Sequence, residues 1–328
     1  MTRPESSHPN GDPAKRAPAR PTLAERLREG PCVILDGALG TELERRGARA
    51  GLPLWSTHAL LESPELVREI HADYARAGAE ILTANTFRTQ RRTLARADTQ
   101  PDVLARRDAE LCALAVSLAR EGAARADRAA VWVAGSAPPL EDCYRNGLVP
   151  PSEALEREHA RHAENLAAAG VDLILVETMN SVREARVAAR AAARTGRPFV
   201  ASFVCWSGDR LLSGERLDEA IDAVAAALPL AIGVNCLPTS AVGACLPALR
   251  AAGPPFAVYA NLGAPAEEPG AARSEDCPPD AYAACARSWR AAGARIVGGC
   301  CGTTPAHVRA LADDTRSEHT GRTQNVSR

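Results

Sequence analysis

Two adjacent cysteines near the end of the chain, Cys300 and Cys301, are the residues whose position most directly indicates chemistry. They follow an apolar run and two glycines, and they precede Thr304-Pro305, which is typical of a helix N-cap followed by proline. A thiolate is favoured between a strand end and a helix start, because backbone N–H groups and the helix dipole stabilise negative charge. Consecutive cysteines bridge each other poorly, so a soft metal ion is the better partner for this pair.

A third cysteine, Cys236, lies in the segment Gly233-Val234-Asn235-Cys236, which ends another apolar strand. Three thiolates from two strand ends leave one position open on a tetrahedral zinc ion, which is the layout of catalytic zinc sites. From the residues alone, three buried structural cysteines are an equally good interpretation, since free cysteine is often a core residue and the pair lacks CxxC spacing.

The elements that position these cysteines are eight short apolar runs, which alternate with amphipathic stretches of helical period. This alternation favours a parallel sheet, and eight strands can close into a barrel, so we predict a single (β/α)8 TIM barrel. A doubly wound open sheet is the alternative, although no GxGxxG motif follows the first run. The predicted strands are Cys32–Asp36, Glu80–Ala84, Val131–Gly135, Leu173–Glu177, Phe199–Cys205, Ala231–Cys236, Phe256–Ala260 and Arg295–Gly299.

Polar or thiol side chains follow these predicted strands. In a TIM barrel the C-terminal ends of the strands meet on one face, where active sites lie. The residues there are Asp36-Gly37, Asn85-Thr86, Ser136, Glu177-Thr178, Cys205-Trp206, Cys236, Asn261 and Cys300-Cys301.

Two carboxylates stand out at this face. Glu177 follows four apolar residues, and a carboxylate delivered from a buried strand needs a charged partner, because desolvating it alone costs at least several kcal/mol. A substrate ammonium group would supply that partner. Asp36 is followed by Gly37, whose missing side chain lets a ligand approach the backbone, although Asp36 is also a candidate N-cap for the next helix.

Taken together, the motifs Asp36–Thr41, Asn85-Thr86-Phe87, Gly233–Cys236 and Gly298–Pro305 resemble the homocysteine S-methyltransferase family. The resemblance extends from about Cys32 to about Ala312. It implies Zn2+ bound by Cys236, Cys300 and Cys301, and no catalytic residue beyond the zinc-activated substrate thiol. It also implies a substrate site, in which Asp36 and Glu177 bind the homocysteine amino group and backbone N–H groups near Gly37 and Ala38 bind its carboxylate. The remaining expected substrate contacts are Thr86, Ser136, Asn235 and, near the methyl donor, Trp55 with Trp206 or Tyr144.

A purely structural role is the alternative for Thr86 and Asn235. Packing of a long loop is the alternative for the three aromatic residues. Cys143 and Cys277 lie in predicted loops and are interpreted as bystanders, and a ligand role for Cys205 is disfavoured because three thiolates already leave the open position that catalysis needs.

The resemblance implies a methyltransferase of the EC 2.1.1 class that converts homocysteine to methionine. The expected donor is an onium compound, S-methylmethionine or S-adenosylmethionine, used without cobalamin. Betaine or a separate methylcobalamin protein is the alternative donor, and selenohomocysteine is an alternative acceptor. A zinc hydrolase is less favoured, because such sites prefer histidine and carboxylate ligands. A thiol or metal store is also less favoured, because most of the cysteines are isolated.

The resemblance implies small-molecule substrates, and the composition gives no indication of a macromolecular partner. The 328 residues carry a net charge of −1, which indicates neither a nucleic-acid nor a membrane partner, and no run of about 18 apolar residues occurs. Ten cysteines and no apolar leader at the N-terminus predict a reducing, cytoplasmic location. We predict disordered tails at residues 1–21 and 315–328 and a barrel over 22–314, with a first helix, Thr22 to Glu29, covering the barrel bottom.

Overall fold

The computed structural model describes residues 21–97, 101–128, 131–263 and 277–326. Within them, eight parallel strands form one sheet. The strands are β1 Val33–Ile34, β2 Ile81–Ala84, β3 Trp132–Ala137, β4 Leu173–Met179, β5 Phe199–Phe203, β6 Ala231–Pro238, β7 Phe256–Asn261 and β8 Ala294–Gly299.

The sheet closes on itself. Its order is β1-β8-β7-β6-β5-β4-β3-β2, and β1 also contacts β2. The Asp36 N–H donates to the Ile81 carbonyl at 3.0 Å, and the Glu80 N–H donates to the Ile34 carbonyl at 2.7 Å. The prediction of a (β/α)8 barrel is therefore confirmed, and the open-sheet alternative is excluded because these bonds join the first strand to the second as well as to the last.

Helices occupy the connections between the strands, and 3₁₀ turns lie at Trp55–Thr57, Asn146–Leu148 and Thr239–Ala241. None of the helices in the described ranges is long and apolar enough to cross a membrane. The helices are α1 Leu23–Glu29, α2 Leu39–Arg45, α3 His58–Glu62, α4 Pro64–Ala77, α5 Arg91–Arg96, α6 Pro101–Arg125, α7 Ser152–Ala168, α8 Val182–Arg194, α9 Leu217–Ala225, α10 Val242–Ala251, α11 Pro279–Ala291 and α12 Pro305–Val326.

Helix α1 closes the N-terminal end of the barrel. Its buried residues Leu23 and Leu27 belong to the same apolar cluster as inward-facing strand residues such as Val33, Leu175 and Ile296. Thr22 caps the helix, with its side chain accepting from the Glu25 N–H. The prediction that this helix covers the barrel bottom is confirmed, and a cavity lies at the opposite, C-terminal face.

Strands β4 and β6 extend to Met179 and Pro238, past the ends that the sequence predicts. Each contains a register shift, in β4 between Val176 and Met179 and in β6 between Asn235 and Pro238. Within each shift one residue other than glycine has a positive φ, 59° at both Thr178 and Cys236. Such bulges bend a strand and re-aim a side chain, and they are frequent beside active sites.

The two predicted tails differ in outcome. Residues 1–20 lie outside the described part of the chain. The predicted disorder after Asp314 is wrong as far as Val326, because α12 continues to that residue. Its continuation packs on α11, where Arg290 pairs with Glu318 at 2.9 Å, and Thr315 is buried and hydrogen-bonded to the Leu311 carbonyl at 2.8 Å. A polar composition suggested a solvated tail, whereas these ion pairs use the charges to hold a helix.

Candidate metal and substrate site

A cavity of about 1300 Å³, including its open mouth, lies at the C-terminal ends of the strands. That volume is sufficient for two small substrates side by side. Nine of the eleven predicted site residues line it, namely Asp36, Gly37, Ala38, Trp55, Ser136, Glu177, Cys236, Cys300 and Cys301. The other two, Thr86 and Asn235, are fully buried outside its lining.

The three predicted metal ligands converge. Cys236 Sγ lies 3.3 Å from Cys300 Sγ and 3.8 Å from Cys301 Sγ, and all three sulfur atoms lie within 4.8 Å of one another. Thiolates placed about 2.3 Å from a zinc ion at the corners of a tetrahedron are about 3.8 Å apart. The three sulfur atoms therefore fit one zinc ion and leave a fourth position for another ligand.

Backbone hydrogen bonds hold these cysteines in place. The Cys300 N–H donates to the Ala260 carbonyl at 2.9 Å, and the Cys301 N–H donates to Asn261 Oδ1 at 3.1 Å. Both acceptors are at the end of β7, so the cysteine pair is tied to the neighbouring strand. Cys236 is aimed by its bulge instead, and a left-handed φ at a residue other than glycine costs on the order of 1–3 kcal/mol. Such strain persists only where the surrounding structure enforces it.

The cysteine thiols of this cluster differ in the direction in which their pKa is shifted. Hydrogen bonds with Cys236 and Cys300 lower the pKa of the Cys301 thiol, whereas hydrogen bonds with Cys300 and Cys301 raise the pKa of the Cys236 thiol. Tyr144 Oη lies 2.9 Å from Cys236 Sγ. Without a metal, the cluster thus concentrates negative charge on Cys301. A divalent cation suits this cluster because it replaces the shared protons.

Asp36 and Glu177 are buried carboxylates, 2% and 7% exposed. Asp36 accepts from the Thr83 N–H at 2.7 Å and from Thr83 Oγ1 at 2.8 Å, and Ser136 Oγ donates to Glu177. Burial raises the pKa of each to about 7, although these hydrogen bonds oppose the shift. The Glu177 charge raises the pKa of Asp36 further, so the two carboxylates influence each other.

Neither carboxylate has a cationic partner among the described residues. Helix α2 takes Ala38 as its N-cap, with no side-chain hydrogen bond, so the N-cap alternative for Asp36 is wrong. Two buried acids that face one cavity without a protein cation are suited to bind an ammonium group.

Glycine is required at position 37 for a different reason from the one that the sequence suggests. A Cβ there would lie 2.8 Å from both Thr303 Oγ1 and the Tyr74 ring, so packing within the protein excludes a side chain. The neighbouring Ala38 N–H already donates to Thr303 Oγ1 at 3.2 Å. In this structure the predicted carboxylate contact at Ala38 therefore competes with a protein hydrogen bond.

Thr86 and Asn235 support the site from outside the cavity lining, which favours a purely structural role for both residues. Thr86 Oγ1 accepts from the Ser136 N–H at 2.8 Å. Asn235 Oδ1 accepts from the Thr178 N–H at 2.9 Å and from Ser202 Oγ at 2.7 Å, and its Nδ2 donates to Thr178 Oγ1 at 2.8 Å. Asn235 thereby joins the bulges of β4 and β6, which carry Glu177 and Cys236.

Aromatic side chains form part of the cavity wall. Trp55 lies edge-on to Phe87, with 6.2 Å between ring centroids, and its Nε1 donates to Glu44 at 3.3 Å. A Cβ at Gly40 would lie 2.3 Å from the Trp55 ring, so that glycine makes room for the indole. Tyr144 also lines the cavity, whereas Trp206 packs against Tyr144 at 5.0 Å without lining it.

Several lining residues are missed by the sequence interpretation. Cys143, interpreted as a bystander, is buried in the cavity wall. Tyr259 and Asn261 also line the cavity, and the Asn261 Nδ2 atom is buried without a hydrogen-bond partner in the described ranges. The alternation of side chains along β7 could have identified Tyr259. Residues two apart on a strand lie on the same face, and Tyr259 is two residues before Asn261. Arg88 and Asp142, in the loops after β2 and β3, carried no signal that distinguished them from surface charges.

Comparisons with known proteins agree with this geometry. A family model described as homocysteine S-methyltransferase matches residues 33–315. The chain is 35% identical to homocysteine S-methyltransferase of Escherichia coli (strain K12), over 85% of this chain and 94% of that protein. It is 33% identical to homocysteine S-methyltransferase 4 of Zea mays, over 88% and 90%. The solved metallated form of homocysteine methyltransferase MmuM from Escherichia coli superposes with a TM-score of 0.75 at 31% identity, over 88% of this chain and 97% of that chain.

Proposed function

The chain belongs to the homocysteine S-methyltransferase family and is a methyltransferase of the EC 2.1.1 class, and from that premise we propose its reaction. The protein transfers a methyl group from a sulfonium donor, S-methylmethionine or S-adenosylmethionine, to the thiol of homocysteine. The product is methionine, and the site uses Zn2+ bound by Cys236, Cys300 and Cys301.

The observation that carries this proposal is the spacing of the three sulfur atoms, 3.3 and 3.8 Å from Cys236 Sγ. The similar Escherichia coli methyltransferase has been solved in a metallated form, which supports a metal at the equivalent cluster. Bound there, zinc supplies the Lewis acidity that makes the homocysteine sulfur a thiolate at neutral pH, where a free thiol with a pKa of about 8.5 is mostly protonated.

The homocysteine amino group binds between Asp36 and Glu177. An ammonium ion there restores the ionised form of both carboxylates, whose pKa burial raises to about 7. Ser136 and Thr83 keep the carboxylates oriented through their hydrogen bonds. Holding the amino group at one end and the sulfur at the other fixes the nucleophile in the cavity.

The reaction needs no further acid or base from the chain. A sulfur lone pair of homocysteine forms the new S–CH3 bond, and the electron pair of the breaking S–CH3 bond returns to the donor sulfur. The donor leaves as a neutral thioether, and the thiol proton is released to solvent. The protein contributes positioning and charge, and the product methionine is a weak metal ligand that can leave.

A sulfonium donor suits the cavity wall. Trp55, Phe87 and Tyr144 present aromatic rings to the cavity, and such rings attract cations. Betaine is the rival donor, and it is disfavoured because Thr178 follows Glu177 where betaine enzymes carry an aromatic residue. The ten cysteines are all free, which supports our proposal of a reducing, cytoplasmic location.

An assay of the purified, zinc-loaded protein tests this function. We expect methionine to form from homocysteine and S-methylmethionine with no corrinoid present, and we expect no product when either substrate is omitted. S-adenosylmethionine, betaine and a methylcobalamin protein are assayed in parallel. Turnover only with the methylcobalamin protein would overturn the proposed donor and identify the chain as one subunit of a split system.

A further inference from the structure

Two opposite charges, Arg88 and Asp142, line the cavity above the strand ends and are not neutralised by the protein. Arg88 forms no hydrogen bond or ion pair within the described ranges, its Nε is buried without a partner, and its guanidinium carbon lies 5.5 Å from the centre of the Phe87 ring. One oxygen of Asp142 accepts the Tyr144 N–H at 3.0 Å, and its carboxylate makes no ion pair with a described residue. The two side chains come from different loops and do not pair with each other.

We propose that Arg88 and Asp142 form a binding site for the α-amino acid end of the methyl donor, with Arg88 holding its carboxylate and Asp142 its ammonium group. This inference rests on the proposed function and specifies the donor as a zwitterionic amino acid that carries a sulfonium. S-Methylmethionine has this chemistry, and S-adenosylmethionine shares it.

Position in the fold separates this site from the homocysteine site. The three cysteines and the acids Asp36 and Glu177 are at the strand ends, where the acids are only 2% and 7% exposed. Arg88 and Asp142 are half-buried and lie in the loops after β2 and β3. The aromatic rings of Trp55, Phe87 and Tyr144 line the same cavity.

The loop that carries Asp142 is held rigidly from outside the cavity. Gln90 Nε2 donates to the Pro138 carbonyl at 3.1 Å, and Asn180 Nδ2 donates to the Cys143 carbonyl at 2.9 Å. Glu184 accepts the Leu140 N–H at 2.8 Å, and Arg92 and Arg96 pair with Glu141. A charge on a pre-organised loop loses little conformational entropy on binding, which is typical of a specific ligand contact.

The thiol of Cys143 responds to both charges. Burial raises its pKa to about 12, while Arg88 lowers that pKa and Asp142 raises it. The two opposite charges therefore act on the same small region of the wall, as the adjacent carboxylate and ammonium of one amino acid require.

Steady-state kinetics of the zinc-loaded enzyme test the site. We expect Arg88→Gln and Asp142→Asn each to raise the KM for S-methylmethionine roughly 10- to 100-fold, with the KM for homocysteine within twofold of wild type. Arg88→Lys, which keeps the charge, should recover part of the loss. The matched controls are Arg91→Gln and Asp222→Asn, which change exposed residues and should alter neither KM. Thermal unfolding checks that each variant folds.

Donor analogues test the assignment of each charge. Dimethylsulfoniopropionate has the sulfonium and the carboxylate but no ammonium group, and trimethylsulfonium has neither polar group. The wild type should prefer S-methylmethionine over dimethylsulfoniopropionate, and Asp142→Asn should shrink that preference at least fivefold, whereas Arg88→Gln should shrink the preference for dimethylsulfoniopropionate over trimethylsulfonium.

The outcomes separate this inference from the proposed function. If no sulfonium supports turnover, the proposed function itself fails. If S-methylmethionine is used but both substitutions leave its KM and the analogue preferences unchanged, only the donor site is wrong. A rise in the KM for homocysteine alone would assign Arg88 to the homocysteine carboxylate and would overturn the inference.

Discussion

Several ionisable side chains in the cavity have no ionic partner among the described residues. The acids Asp36 and Glu177 have hydrogen bonds but no cation, and the sulfur atoms of Cys236, Cys300 and Cys301 share protons among themselves. Leaving buried charges unpaired is costly in a folded protein, so residues of this kind point to ligands that complete them. The two carboxylates and the three thiols suit different ligands, because carboxylates bind an ammonium ion and thiolates bind a soft metal.

Zinc binding should depend on the individual cysteines of the cluster. Cys300→Ala removes one of three ligands that lie within 4.8 Å of one another, so both bound zinc and turnover should be lost. Cys112 is fully buried on α6 and does not line the cavity, and Cys112→Ala should retain one zinc per chain. Metal analysis of the two purified variants measures the difference. Equal zinc loss from both would contradict the assignment of the metal site.

At the scale of elements, two bulged strands aim the functional residues. Regular strands would place Glu177 and Cys236 in the barrel wall with standard φ, whereas the shifts in β4 and β6 give Thr178 and Cys236 a φ of 59°. The Asn235 side chain connects the two shifts by two hydrogen bonds with Thr178, and it accepts a third from Ser202 on β5. A buried side chain outside the cavity lining thus supports the two bulges that carry Glu177 and Cys236.

Removal of that connection should loosen both strands. Asn235→Ala leaves the buried Thr178 N–H without its acceptor, which lowers the free energy of unfolding by about 1–3 kcal/mol, as measured by urea denaturation. Zinc affinity, measured by chelator competition, should fall as well, because Cys236 loses the support of its bulge. The exposed Asn146→Ala provides a matched control with neither effect. Unchanged zinc affinity in Asn235→Ala would contradict the positioning role.

At the scale of the whole molecule, barrel closure gathers charges from distant parts of the chain around one cavity. Asp36 at the end of the first strand and Glu177 at the end of the fourth influence each other, and burial raises the pKa of both to about 7. A carboxyl group has a pKa of about 4 in an unfolded chain. The folded protein therefore binds protons more tightly than the unfolded chain between about pH 4 and 7.

That difference predicts a pH dependence of stability. Because the folded state holds more protons in this window, the free energy of unfolding should fall as pH rises from about 4 through about 7, by on the order of 2–4 kcal/mol for each carboxylate. Asp36→Asn removes one of these titrations and keeps the hydrogen-bonding shape, so its stability should fall less over the same range. Chemical denaturation at several pH values, without ligand, measures the two slopes.

The exposed Asp222→Asn should keep the wild-type slope. Homocysteine should flatten the slope of the wild type, since its ammonium group stabilises the ionised carboxylates. A wild-type slope that matches that of Asp36→Asn would contradict the raised pKa.

The sequence alone determined the barrel, the three cysteines and the two acids, because each rests on a local pattern. Apolar runs reveal the strands, and the residue after each run must lie at the C-terminal face whatever the detailed packing. The limits of α4, Pro64–Ala77, also follow from local signals, since serine and proline begin that helix and Gly78 ends it with a φ of 111°.

Only the tertiary structure decided which of those face residues reach the cavity. Thr86 and Asn235 follow the same strand pattern as Ser136 and Cys236, yet they are buried outside the lining, because bulges and strand register determine the direction of each side chain. Gly37 is required by Tyr74 and Thr303, which are distant in sequence. Arg88 and Asp142 line one cavity only because the barrel brings the loops after β2 and β3 together, and no local pattern encodes the proximity of residues so far apart in the chain.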